Sequence, residues 1–140
     1  MIQVLTFLIF SLLAISCVTD VLYRTIKNYC VSLIFISSCG LAFCFSNVNV
    51  LVPLLFFLIG FILATVGIIG AGDIKLIIAL LIGMPQDHIS MFFFAMGCLG
   101  SPLAILITML SNLFLKKKDR TIPFGIAITF GYIVAMWGVI

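Results

Sequence analysis

Charge is scarce in this sequence. Only 8% of its 140 residues are Asp, Glu, Lys or Arg and 65% are hydrophobic, whereas soluble domains carry roughly 25% charged residues. A chain this short has too little interior to hide so much apolar surface, so that surface faces lipid. The net charge is only +3, and no basic face interleaved with aromatics is visible, which argues against nucleic acid as a partner. CxxC pairs are missing as well. The five cysteines, Cys17, Cys30, Cys39, Cys44 and Cys98, are read as small apolar fillers of helices, with no zinc or redox motif. Nor is there a basic stretch ahead of the first apolar run. The "LAISC" at 13–17 has Ala14 where a lipoprotein cleavage box has a large aliphatic residue, so the first segment is expected to be a retained helix.

What the sequence does contain is long apolar runs. A membrane-crossing helix needs about 20 such residues, and six segments are read at roughly 2–22, 30–46, 50–69, 74–84, 89–113 and 122–140. With short connections and no internal repeat, they predict an all-α polytopic membrane protein: one domain, residues 1–140, folded as a bundle of six transmembrane helices. The seven basic residues support that count. Arg24 and Lys27 lie in the first connection, Lys75 follows the third, and Lys116, Lys117, Lys118 and Arg120 lie in the fifth. The second and fourth, "SNVN" and "PQDH", contain neither Lys nor Arg. Basic residues favour the cytoplasmic side, so the odd connections are expected inside and both termini outside, in the inner (cytoplasmic) membrane. Gly60, Ala64 and Gly67 have the spacing that lets helices approach closely in lipid. Trp137 and Tyr132 are read as aromatics near a membrane interface.

The four acidic residues are all aspartates, and two of them carry the chemistry. Asp20 ends the first apolar segment, and Asp73 begins the fourth within "GIIGAGDIKLIIALL". The assumed topology puts both near the cytoplasmic boundary. A charged carboxylate in a membrane helix costs about 2.5–3.5 kcal/mol on insertion scales, so two at one depth are a candidate pair. Two carboxylates held close cannot both ionise easily and share a proton. One then activates a water while the other, protonated, polarises a carbonyl, as in aspartic proteases, with neither metal nor cofactor. From Asp73 to Pro85 is 12 residues, about 18 Å of helix against a hydrocarbon core of about 30 Å. Either the helix continues through Pro85 or Asp73 is recessed below the cytoplasmic surface. Gly70 and Gly72 are expected to supply backbone freedom and room for an extended substrate strand. The plainer readings are that Asp73 is an N-cap, that Asp20 pairs with Arg24 one turn later, and that Lys75 faces away and snorkels to the cytoplasm. Asp119 is read as a solvated partner of its basic neighbours. Asp87 and His88 belong to the opposite side.

These residues resemble a known family. "GAGDIKL" is similar to the GxGD signature of the type IV prepilin peptidases, which are intramembrane aspartic proteases. "DVLYRTIKN", residues 20–28, resembles their other aspartate motif, with Asp20, Ile26 and Asn28 in register and Lys27 where proline is common. "IPFGIAI", residues 122–128, resembles the Pro-aromatic-Gly stretch that begins the family's last helix and points to Pro123 and Gly125. The resemblance extends from residue 1 to about 130. It implies removal of a short basic leader from pilin-like precursors at the cytoplasmic face, with Asp20 and Asp73 as catalytic acids. Gly70, Gly72, Lys75, Arg24, Asn28, Pro123 and Gly125 are expected to bind substrate or shape the site. Longer members also methylate the new N-terminus and carry an extra N-terminal region with a cysteine quartet. This chain shows neither, so it resembles the short, peptidase-only members that serve tight-adherence (Flp) pili. The alternatives are a proton- or cation-coupled transport subunit using intramembrane aspartates, and an assembly subunit without chemistry.

Overall fold

The computed structural model describes residues 1–23, 25–46, 50–67, 69–115 and 123–137, with backbone alone at 111–115. Among the described residues seven α-helices follow one another: α1 (Ile2–Tyr23), α2 (Asn28–Phe45), α3 (Leu51–Thr65), α4 (Ala71–Ile82), α5 (Gln86–Ala95), α6 (Ser101–Leu115) and α7 (Phe124–Met136). A π-helical stretch, Met96–Gly100, joins α5 to α6, so the seven helices make six rods. No strand occurs among the described residues. Among the described residues three stretches are long and apolar enough to cross a membrane: Ile2–Tyr23, Asn28–Phe45 and Gln86–Leu110. Leu51–Thr65 and Phe124–Met136 are apolar but shorter. The expected six segments therefore appear as six rods, three of them with the length of a full span.

Local chemistry sets the boundaries. α2 starts after Lys27, whose φ of −73° and ψ of 128° match the φ that a proline ring would impose. The backbone at Lys27 would thus accommodate a proline. α3 stops at Thr65, and Gly67 takes a φ of 78°, a left-handed helix end that glycine adopts without penalty. Gly67 is thus a terminator, with no neighbour at packing distance, while Gly60 is the packing glycine. A Cβ on Gly60 would lie 2.6 Å from Ile74 Cγ2 of α4. α4 ends at Ile82, and Pro85 caps α5, so the helix does not continue through the proline. Its 12 residues span about 18 Å. The π-helical stretch lies just ahead of Pro102. That proline has no N–H for the Cys98 carbonyl, and its ring crowds the same carbonyl, so the helix widens there.

The core forms around α4 and α7. α7 packs on α1, α4, α5, α6 and the π-helical stretch, while α4 packs on α2, α3 and α7. Glycines bring backbones close. A Cβ on Gly100 would lie 2.7 Å from Ala127 Cα, one on Gly131 2.9 Å from Met96 Cβ, and one on Gly83 2.6 Å from the Ser38 carbonyl oxygen. Such small-residue contacts hold helices together where lipid gives no hydrophobic drive. Tyr132 is fully buried and packs edge-on against Phe10, ring centroids 5.9 Å apart. It is therefore a core residue, not the interfacial aromatic expected from its place near the end of the chain. Trp137 is exposed. α3 lies outermost, burying only Pro53 and Gly60.

Candidate active site

Asp20 lies in the last turn of α1 and is only 6% exposed. The Gly125 backbone N–H, in the first turn of α7, donates to Asp20 Oδ2 at 2.9 Å. A helix leaves its first N–H groups without intrahelical partners, and here one of them is met by a carboxylate from another helix. Glycine is required for the approach, because a Cβ at Gly125 would lie 2.7 Å from Asp20 Oδ2. Pro123, buried and with a φ of −71°, is the N-cap of α7. It starts the helix where the amide of Gly125 meets Asp20. The α1 and α7 pairing is antiparallel, as the Phe10–Tyr132 contact further along both helices shows.

Asp73 enters from α4. Gly70 is the N-cap, and Asp73 sits in the first turn, three residues on. It is therefore not itself the N-cap. Its backbone N–H donates to the Gly70 carbonyl at 3.1 Å, and its carboxylate turns back beside Gly70, where a Cβ would lie 2.9 Å from Asp73 Oδ2. A negative group in the first turn of a helix also meets the positive end of the helix dipole. Gly70 has a φ of −66° and a ψ of 136°, an extended backbone open to most residues. Its glycine is explained by this close approach and not by the conformational freedom expected from the sequence. Gly72 is less constrained, since a Cβ there would lie 3.4 Å from Ile26 Cβ, an ordinary contact.

The two aspartates face one cavity of about 350 Å³. Its walls are Asp20 from α1, Thr25 and Ile26 from the α1–α2 turn, Asn28 from the start of α2, and Gly70 to Asp73 with Lys75 from α4. The structure thus brings together Asp20, Asp73, Gly70, Gly72, Lys75 and Asn28, and ties Gly125 to Asp20. Lys75 does not simply turn away. It is exposed, yet it lines this cavity as well as an apolar one beside it. Thr25 and Ala71 are cavity residues that the motifs did not single out, although each adjoins a motif residue. Arg24, and with it the expected Asp20–Arg24 pair, lies outside the described residues, as do 47–49 and the 116–120 run containing Asp119. Among the described residues no three His, Cys, Asp or Glu side chains converge as a metal site requires.

A family model of the type IV leader peptidases matches residues 7–105, a stretch holding both aspartates. The chain belongs to the type IV leader peptidase family. No curated protein and no solved structure matches it. Family membership makes the chain a leader-peptidase-like protease, and its apolar helices make it a membrane protein. Gly125 lies beyond the matched stretch, and it is the fold that returns it to Asp20.

Proposed function

We propose that this leader peptidase family member is an intramembrane aspartic endopeptidase that removes the basic leader of type IV pilin-like precursors at the cytoplasmic face of the inner membrane. The observation that carries the proposal is the meeting of Asp20 and Asp73, from helices remote in sequence, on the walls of one cavity. Two carboxylates that share one proton perform both halves of peptide hydrolysis. The ionised one takes a proton from the attacking water. The protonated one hydrogen-bonds the scissile carbonyl and stabilises the oxygen as charge develops there. The proton then moves to the departing amine. Gly125 holds the Asp20 carboxylate in position through its N–H, and the small residues at 70–72 keep the approach to Asp73 low.

Depth and side fit such a precursor. The cavity lies at the end of the bundle where α1 finishes and α2, α4 and α7 begin, which the basic-residue pattern assigns to the cytoplasm. There all six rods are read as crossing the membrane, with α4, α3 and α7 short and the site recessed. A scissile bond between a basic leader and an apolar helix reaches that depth in extended form. The transport reading would need polar groups leading onward across the bundle. Asp87 instead lies exposed in the first turn of α5 and does not line the cavity.

The test is cleavage of a purified precursor, with a cytoplasmic basic leader followed by an apolar helix, by the purified protein in detergent. A single cut ahead of the apolar stretch, unaffected by a chelator, is expected. Absence of any cut under conditions in which the protein is folded would refute the proposal. External labelling of single cysteines should reach position 87 and spare position 25, and labelling at 25 would reverse the assigned orientation.

A further inference from the structure

Beside the aspartate cavity lies a second hollow, of about 460 Å³, between α2 and α3 across the outer face of α4. Its walls include Val31, Phe35 and Ile36 of α2, Phe57 of α3, and Ile78 of α4. Phe35, Ile36 and Phe57 are exposed. The two hollows meet at Lys75, which lines both. α2 and α3 each pack on α4, and α3 buries little of itself, so the groove has one firm wall and one lightly held wall. A helix about 10–12 Å across and about 5.4 Å per turn fills on the order of 500 Å³ per turn. The groove therefore suits about one turn of an apolar helix.

We infer that this groove seats the first turn of the apolar helix that follows the scissile bond of the precursor. The inference rests on the peptidase reading above and specifies where its substrate docks. Charge agrees with the direction. The aspartate cavity sets two carboxylates against the shared Lys75 ammonium and so favours a basic leader, whereas the groove, among the described residues, has Lys75 as its one charged wall residue and so disfavours a cation. The leader thus lies on the aspartate side, the apolar helix lies on the α2–α3 side, and the bond between them rests near Asp73. The exposed Val18 of α1 and Met109 of α6 line neither hollow.

Photocrosslinking tests the assignment. A photoreactive benzoylphenylalanine is placed singly at Ile36 or Phe57, and at Val18 of α1 or Met109 of α6 as controls, all four being exposed apolar positions. An Asp73→Asn background keeps the precursor uncut. Adducts with the precursor at 36 and 57, and not at 18 or 109, are expected. A second measurement uses the otherwise unaltered enzyme. Ser32→Trp, which fills the groove beside Val31, should raise KM for the precursor about tenfold with little change in kcat, the signature of lost uniform binding. Adducts at 18 or 109 in place of 36 and 57 would overturn the docking site, as would lipid adducts alone at 36 and 57 or an unchanged KM in Ser32→Trp. Precursor cleavage by the unaltered enzyme without adducts at 36 and 57 overturns the groove alone. Failure of the unaltered enzyme to cleave overturns the peptidase reading and the groove with it.

Discussion

Two helices of this protein begin with an aspartate in the first turn, α4 with Asp73 and α5 with Asp87. Both follow a residue in extended conformation, Gly70 and Pro85 respectively, and both put a negative charge at the favourable end of a helix dipole. Locally the two are near equivalents, but their surroundings differ. Asp73 opens onto a cavity that already holds Asp20. Asp87 is exposed, and a hollow at its end of the bundle is lined, among the described residues, by His88, Met91, Val134, Ala135 and Trp137, none of them acidic. An acid at a helix start is thus ordinary, and becomes a candidate catalyst only where the fold delivers a second acid to the same space.

That contrast can be broken most forcefully at the pair itself. Asp20→Asn and Asp73→Asn are each expected to lower the cleavage rate by on the order of 10²–10⁴-fold or more, with the protein still inserted and folded by circular dichroism. The unaltered enzyme should show a bell-shaped pH profile whose two limbs belong to the pair as a unit. Substantial cleavage by either Asn variant would end the idea of a dyad. The next largest effect should come from Gly125→Ala. Its Cβ would lie 2.7 Å from Asp20 Oδ2, and displacing a catalytic group by about 1 Å can cost about 10²-fold. The same methyl at Gly72, only 3.4 Å from Ile26 Cβ, makes ordinary contact, so Gly72→Ala should be mild and Gly72→Val clearly worse. Equal rates for Gly125→Ala and Gly72→Ala would show that the Gly125–Asp20 hydrogen bond does not position the site. Smallest of all, Asp87→Asn should leave the rate within about twofold, because surface changes away from a site usually shift energies by no more than about 0.5 kcal/mol. A large loss there would move the chemistry to the opposite end of the bundle.

The sequence made the rods legible because a chain this poor in charge leaves few ways to read its apolar runs, and their ends carry glycine, proline or lysine. Asp20 and Asp73 were legible through their motifs and through the side of the membrane that the basic residues imply. Other features depend on atoms brought from afar. The hydrogen bond from Gly125 to Asp20 joins residues 105 positions apart, and no local pattern encodes it. Gly70 was expected to serve backbone freedom, yet that freedom is used at Gly67, while Gly70 is small for the sake of the Asp73 carboxylate. The π-helical stretch at Met96–Gly100 interrupts what reads as one apolar helix. Pro102 was the available signal, and the fold adds the demand that Gly100 meet Ala127 and Gly131 meet Met96. Tyr132 looked interfacial by its position near the chain end, and its packing on Phe10 places it inside.

The bond between α1 and α7 also sets a clock. Asp20 is translated 105 residues ahead of Gly125. At synthesis rates of roughly 5–20 residues per second, Asp20 precedes its glycine donor by roughly 5–20 s. Asp73 is translated within that interval, so both acids reach the membrane before the helix that orients one of them. The pairing of Asp20 with its donor therefore waits for α7, and a nascent chain truncated before α7 holds both aspartates without the Gly125 amide that donates to Asp20.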